Sequence, residues 1–175
     1  LRPYMPKNYS NDLKIISKKI DWIGVNYYTR TIVKKDNNEK YFGFKALKGN
    51  LPKTDMGWEI YPEGLTEVIM KLIKNYSKKT PIYITENGMA HKETFENGKV
   101  VDIERINFYE KHLKEIKQLL NKGVPLRGFF AWSLLDNFEW AYGYSKRFGL
   151  IYVDFESLKR TPKSSWFEFK KVLNK

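Results

Sequence analysis

Three apolar runs of strand length, Ile20 to Val25, Ile82 to Thr85 and Leu126 to Ser133, are each followed by polar loop sequence and then by a helix-forming stretch. That repeated order constrains the fold more than any other feature of the chain. Strand, loop and helix in alternation call for parallel strands joined by helical crossovers, hence an α/β layer or barrel. The runs are almost continuously apolar, as strands covered on both faces are. Three strands cannot close a barrel, and a sheet this small leaves two long edges and an open hydrophobic face. The chain therefore reads as part of something larger.

The helices follow from spacing. Pro62 and Glu63 suit a first turn, and Leu65, Val68, Ile69, Leu72, Ile73 and Tyr76 recur as a buried stripe. Asp102 is placed to cap a second helix, with Ile106, Tyr109, Leu113, Ile116 and Leu120 as its stripe and Gly123 ending it. Thr161-Pro162 is expected to start a last helix with Trp166, Phe169 and Leu173 on one face. Leu1 to Asn11 reads as an irregular lead-in, after which Asp12 is expected to cap a turn through Leu13, Ile15 and Ile16. Residues 34–57 form a long Lys-, Asn- and Gly-rich excursion, and such loops tend to be functional. Asn97-Gly98 predicts a hairpin turn, and Arg147 to Asp154 a short extended element. Trp22, Trp166 and Phe169 are expected in the core or in helix packing, Asp136 as a structural loop-former, and His91 and His112 on the surface.

Composition excludes several function classes. With no cysteine there is neither a disulfide framework nor a thiolate site, which fits a reducing, cytoplasmic setting. Two histidines, far apart in sequence, make a metal site unexpected, and nothing points to a cofactor. No apolar run approaches the ~20 residues that span a bilayer, and no signal peptide opens the chain, so no membrane partner is expected. The chain starts at Leu1, which leaves its native N-terminus open. A net charge of +12 invites a nucleic-acid reading, but the lysines are scattered singly or in pairs, as on a solvated surface.

Each strand ends in groups that packing alone does not explain: Asn26 and Tyr28 on the first, Glu86 on the second, and Trp132, Asp136 and Glu139-Trp140 on the third. In a parallel α/β sheet these C-terminal ends face one side, where barrel enzymes build their sites. Glu86 is the pivotal group. Glu is depleted in strands, yet it stands at the tip of Ile82-Tyr83-Ile84-Thr85, before an Asn-Gly pair. Alone it reads as a solvated side chain rather than a catalytic one, since carboxylates are mostly exposed. Converging tips would give it a phenol donor in Tyr28, flat indole faces in Trp132 and Trp140, and an acceptor for paired hydroxyls in Glu139. That set suits a sugar ring, and a carboxylate attacking an anomeric carbon is the nucleophilic step of retaining glycoside hydrolysis.

Five segments carry a resemblance. Gly24-Val25-Asn26-Tyr27-Tyr28-Thr29, Gly57-Trp58-Glu59-Ile60-Tyr61-Pro62, Thr85-Glu86-Asn87-Gly88, Phe130 to Trp140 (Phe-Ala-Trp-Ser-Leu-Leu-Asp-Asn-Phe-Glu-Trp) and Arg147-Phe148-Gly149-Leu150 resemble, in order, the C-terminal signatures of glycoside hydrolase family 1. The resemblance covers essentially the whole chain. It implies a (β/α)8 TIM barrel, with residues 1–175 as the C-terminal portion of that single domain, holding the sixth to eighth strands and their helices. It implies Glu86 as nucleophile, Tyr28 as its hydrogen-bonding partner, and Asn26, Trp132, Glu139, Trp140 and Phe148 lining the subsite for the non-reducing sugar. The branch of the family acting on 6-phosphoglycosides lacks Glu at the Glu139 position, so Glu139-Trp140 implies an unphosphorylated β-glucoside or β-galactoside as substrate.

The chain also departs from the family. The acid/base Glu sits there in an Asn-Glu-Pro motif that this sequence lacks. The expected partner is then the missing N-terminal barrel portion, in the same or a separate chain, and the isolated polypeptide is expected to have little or no hydrolase activity. Two other readings stay open from sequence: a non-catalytic sugar-binding or assembly module that kept the motifs, and a basic nucleic-acid-binding protein.

Overall fold

Residues 6–174 are described by a computed structural model; the first five residues of the expected lead-in lie outside the described part. The predicted alternation is present. Strands β1 (Ile23–Asn26), β4 (Ile82–Asn87) and β7 (Leu126–Ala131) form one parallel sheet in the order β1-β4-β7. Helices α2 (Glu63–Asn75) and α3 (Ile103–Asn121) make the crossovers, and α4 (Ser164–Leu173) follows the last strand. Because the strands are parallel, all their C-terminal ends lie along one edge.

Strand alternation decides which face is covered. Ile82 and Ile84 of β4 are fully buried, clustered with Val25, Leu126, Leu65, Ile69, Ile116 and Leu119 between sheet and helices. Removing each such side chain from water contributes about 1.5–3 kcal/mol. A second cluster, Met89, Phe108, Tyr109 and Leu150, packs with Phe129, Trp166 and Phe169 beneath the strand tips. Tyr83 and Thr85 point to the other face and line an open cavity with Trp22, Phe130 and Trp132. Phe130 is 57% and Trp22 53% exposed there. The strands are apolar on both faces but covered on one, as three strands alone require.

Several local expectations need correction. The first helix, α1, spans Tyr9–Ile16, so Asp12 lies in its first turn and does not cap it. The first strand of the sheet begins at Ile23, and Trp22 stands on the open face, edge-on to Tyr83 at 5.5 Å between ring centroids. Within the long excursion, β2 (Ile32–Lys35) and β3 (Phe44–Leu47) pair as a hairpin. Asp102 precedes α3 without a side-chain cap and is turned instead toward Arg105 and Ser165. Thr161 and Pro162 belong to β9 (Arg160–Pro162), paired with β8 (Ile151–Val153), and α4 starts only at Ser164. Proline is tolerated there because β9 is an edge strand.

The helical stripes are right in period and wrong at their margins. Val68, Tyr76, Leu120 and Leu173 are exposed, while Phe108, His112 and Leu119 are buried. His112 is therefore a core residue, its ring 4.0 Å from that of Phe108 and its Nδ1 2.8 Å from the Phe108 carbonyl oxygen. The Asn97-Gly98 turn forms as expected between β5 (Phe95–Glu96) and β6 (Lys99–Val100). Asn97 and Gly98 both take positive φ, 50° and 75°, as a two-residue hairpin loop requires.

Candidate active site

The sheet register brings the predicted site residues of β1 and β4 together. Asn26 pairs with Glu86, and the Tyr27 amide donates to the Glu86 carbonyl oxygen at 2.9 Å. The strand runs through Glu86 and ends at Asn87, so the carboxylate rises from a hydrogen-bonded tip. Thr85 and Asn87, on either side of it, hold the first strand end. The Thr85 hydroxyl donates to Asn26 Oδ1 at 2.6 Å, and Asn87 Nδ2 donates to the Tyr27 carbonyl oxygen at 2.8 Å. On the other side the Trp132 amide donates to the Asn87 carbonyl oxygen at 2.8 Å. The two residues flanking Glu86 were legible only as parts of the Thr-Glu-Asn-Gly tetrapeptide; nothing in it announced their separate tasks.

Tyr28, one residue beyond the Tyr27 contact, turns its phenol onto Glu86 Oε2 at 2.6 Å. Burial and that hydrogen bond raise the Tyr28 pKa far above its ordinary value. The phenol is thus a proton donor throughout the physiological range, and it fixes one carboxylate oxygen. Behind it, Trp58 and Phe148 close an aromatic trio, with centroid separations of 5.4 Å for Tyr28–Trp58, 6.3 Å for Tyr28–Phe148 and 6.2 Å for Trp58–Phe148. Phe148 is only 1% exposed. It reaches the site through Tyr28 and Trp58 rather than by offering a ring face of its own. Trp58 owes its place to Glu59, whose carboxylate accepts from Arg30 Nε at 2.9 Å and from the Leu51 amide at 2.8 Å, tying the long excursion down.

The third strand delivers the remaining groups on one loop. Trp132 is half-buried at the β7 tip, and its peptide bond to Ser133 is cis. Glu139 and Trp140 lie at a tight 3-10 turn (Trp140–Tyr142), closed by the Glu139 amide donating to the Gly143 carbonyl oxygen at 2.7 Å. Trp140 is 85% exposed, its indole free of protein contacts that would cover it. The Glu139 pKa is raised, first by partial burial and then by the negative charge of Glu86. Two carboxylates therefore sense each other across the same edge.

Asp136 underlies this loop, as expected of a loop-former. It is buried and accepts from Arg147 Nη1 at 2.7 Å, Lys163 Nζ at 2.8 Å and the Gly149 amide at 2.9 Å. Among the described residues no cluster of three or more His, Cys, Asp or Glu could hold a metal ion, and no helix is long and apolar enough to cross a membrane. One carboxylate held by a phenol, a second carboxylate and two indoles on one sheet edge can orient a polyhydroxylated ring and attack it.

Comparison with known proteins identifies the setting. A 1,4-beta-D-glucan glucohydrolase of Thermotoga neapolitana is 44% identical over 173 residues, covering 98% of this chain and 38% of that protein. A 6-phospho-beta-galactosidase of Clostridium acetobutylicum is 38% identical over 187 residues, 95% of this chain and 40% of its own length. The beta-glucosidase from Thermotoga maritima, solved in complex with glucoimidazole, matches with a TM-score of 0.93 at 43% identity, over 99% of this chain and 39% of that one. The chain thus spans about two fifths of the length of the relatives it matches. Glycosyl hydrolase family 1 matches residues 2–175, and the chain belongs to that family.

Proposed function

We propose that the chain supplies the nucleophile half of a retaining β-glycosidase that hydrolyses unphosphorylated β-glucosides or β-galactosides by double displacement. Residues 1–175 then form the C-terminal portion of one TIM-barrel domain, with β1, β4 and β7 as its sixth, seventh and eighth strands. The observation that carries the reading is the 2.6 Å hydrogen bond from Tyr28 to Glu86 at the edge where all three strands end.

In the first step the free oxygen of Glu86 attacks the anomeric carbon as the glycosidic C–O bond breaks, and a proton reaches the leaving oxygen from an acid outside this chain. In the second, water replaces the carboxylate with the same group acting as base. Such a pair stands ~5–5.5 Å apart, and the acid/base is worth about 10²–10⁴-fold in rate. No Asn-Glu-Pro occurs in the sequence. Asn26, Trp132, Glu139 and Trp140 surround the non-reducing sugar, with Phe148 backing Tyr28, and Glu139 accepts from the hydroxyls farthest from the cleaved bond. Glu139 occupies the place where a 6-phosphate would bring repulsion, which supports the unphosphorylated substrate over the one named for the Clostridium relative.

The test is hydrolysis of a nitrophenyl β-glucoside by this chain alone and by the chain co-produced with a polypeptide supplying the rest of the barrel. The isolated chain is expected to be inactive. The assembled form is expected to hydrolyse the unphosphorylated glycoside in preference to its 6-phosphate and to be labelled on Glu86 by a 2-deoxy-2-fluoroglycoside. Full activity of the assembled form carrying Glu86→Gln would overturn the assignment.

A further inference from the structure

Five charged side chains are buried together behind the site, outside any role in bond cleavage, and a sixth, Arg147, joins them from a partly exposed position. Glu93 follows the β4 tip that carries Glu86, and its side chain is 0% exposed, as are those of Arg105, Asp102 and Lys163. Glu93 pairs with Arg105 through one oxygen and with Lys163 Nζ at 2.5 Å through the other. Lys163 continues to Asp136 at 2.8 Å, and Asp136 to Arg147 at 2.7 Å. Arg105 pairs with Asp102 and sends Nη2 to the Arg147 carbonyl oxygen at 2.9 Å. Three carboxylates meet three cations, so the group is neutral as a whole.

Stability alone does not select this arrangement. Buried ion pairs of this kind often contribute no more than apolar residues of equal volume. Lys163 is placed worst of all, because it flanks the N-terminus of α4, where the helix dipole disfavours a cation. What the chain of pairs does is join two loops. Glu93 belongs to the segment leaving Glu86, and Asp136 and Arg147 bracket the loop that carries Glu139 and Trp140.

We propose that Lys163 is a positioning residue: its ammonium, bridging Glu93 and Asp136, is a strut that sets where the Glu139-Trp140 loop stands relative to Glu86. The proposal rests on the reading of that loop as the sugar-holding part of the site. Lys163 itself touches neither Glu86 nor Glu139. Its removal leaves Asp136 with Arg147 and two backbone amides but without its link to the β4 side.

The test compares the 175-residue chain with Lys163→Met and with Lys163→Met/Glu93→Gln, using amide hydrogen exchange resolved by segment. The single variant leaves one excess buried negative charge, which destabilises the whole chain; the double variant restores neutrality while Asp136 still lacks the ammonium. In the double variant residues 133–150 are expected to exchange about tenfold faster or more, the loss of one charge-assisted hydrogen bond, with α2 and β1 at parental rates. In the assembled enzyme the double variant is expected to raise KM for a nitrophenyl β-glucoside more than it lowers kcat. Parental exchange in residues 133–150, or equal acceleration of every segment, would overturn the strut. If the exchange result holds and Glu86 takes no label from the fluoroglycoside, the sugar reading fails and the strut between the loops stands.

Discussion

Tyr28 and Glu86, 58 positions apart in sequence, meet at 2.6 Å because β1 and β4 pair in parallel with Asn26 opposite Glu86. The register places the phenol, two residues past Asn26, over the carboxylate. The phenol stays protonated, so Glu86 always receives a donor on Oε2. That bond orients the other oxygen.

Replacing Tyr28 with Phe removes the donor and keeps the ring that packs on Trp58 and Phe148. A hydrogen bond to a charged acceptor is worth about 1.5–3 kcal/mol. Tyr28→Phe in the assembled enzyme is therefore expected to lower kcat/KM for a nitrophenyl β-glucoside by roughly 10- to 100-fold. Thermal stability should stay near that of the parent. Unchanged kcat/KM would mean that Glu86 is oriented by something else.

Much of this was legible in the sequence, and the reasons differ by residue. The three strands and their helices were visible because periodicity records burial against neighbours within the chain. Glu86 stood out as a carboxylate ending a run of strand formers. Trp22 was misplaced because its environment depends on a face that this chain does not cover, and an indole in an apolar run looks like core. His112 was misplaced because a lone polar residue in a helix gives no sign of its burial; its own helix satisfies Nδ1 through the Phe108 carbonyl. The ion group joining Glu93, Lys163 and Asp136 was invisible, since its members come from three separate loops or helix ends and no local pattern relates them.

Glu139 offers a prediction on the isolated chain. Its pKa is raised by partial burial and, second, by the charge of Glu86. Neutralising Glu86 with Glu86→Gln leaves burial in place and removes the repulsion. The Glu139 carboxyl is then expected to titrate at lower pH than in the parent, followed by carbon-13 NMR of labelled glutamate side chains. A Glu139 titration unmoved by Glu86→Gln would show that the two carboxylates do not face each other.

Gly88, just past the β4 tip, lies tight against the backbone of Trp132, just past the β7 tip. A Cβ there would collide with the Trp132 carbonyl oxygen, a backbone atom that cannot swing aside, whereas a Cβ on Gly98 would meet nothing within 4 Å. Overpacking of this kind costs about 1–3 kcal/mol. Gly88→Ala is expected to lower the urea midpoint and to push the Trp132 end of β7 away from Asn87, weakening the 2.8 Å bond between them. Amide exchange at Trp132 reads that bond directly. Protection of that amide equal to the parent's would show that the tips can part without cost.

His112 sets a pH dependence of stability. Its side chain is fully buried, and burial pushes its pKa from an ordinary 6.5 down to about 4. The folded chain therefore holds a neutral imidazole whose Nδ1–H donates to the Phe108 carbonyl oxygen at 2.8 Å. The unfolded chain binds a proton near pH 6.5. Above that pH both states are neutral and the stability associated with His112 is complete. As pH falls below 6.5 the unfolded state is favoured increasingly, until the folded ring also protonates near pH 4. The loss across that window is on the order of 3 kcal/mol, from 1.36 kcal/mol for each pH unit. Carboxylates titrate over part of the same range, so the measurement is the difference between the parent and His112→Phe in urea unfolding from pH 7.5 to 4. Phe keeps an aromatic ring against Phe108 and Tyr27 and has nothing to protonate. The parent is expected to lose stability faster than the variant as pH falls, with the gap opening below about pH 6.5; parallel curves would place His112 in contact with water.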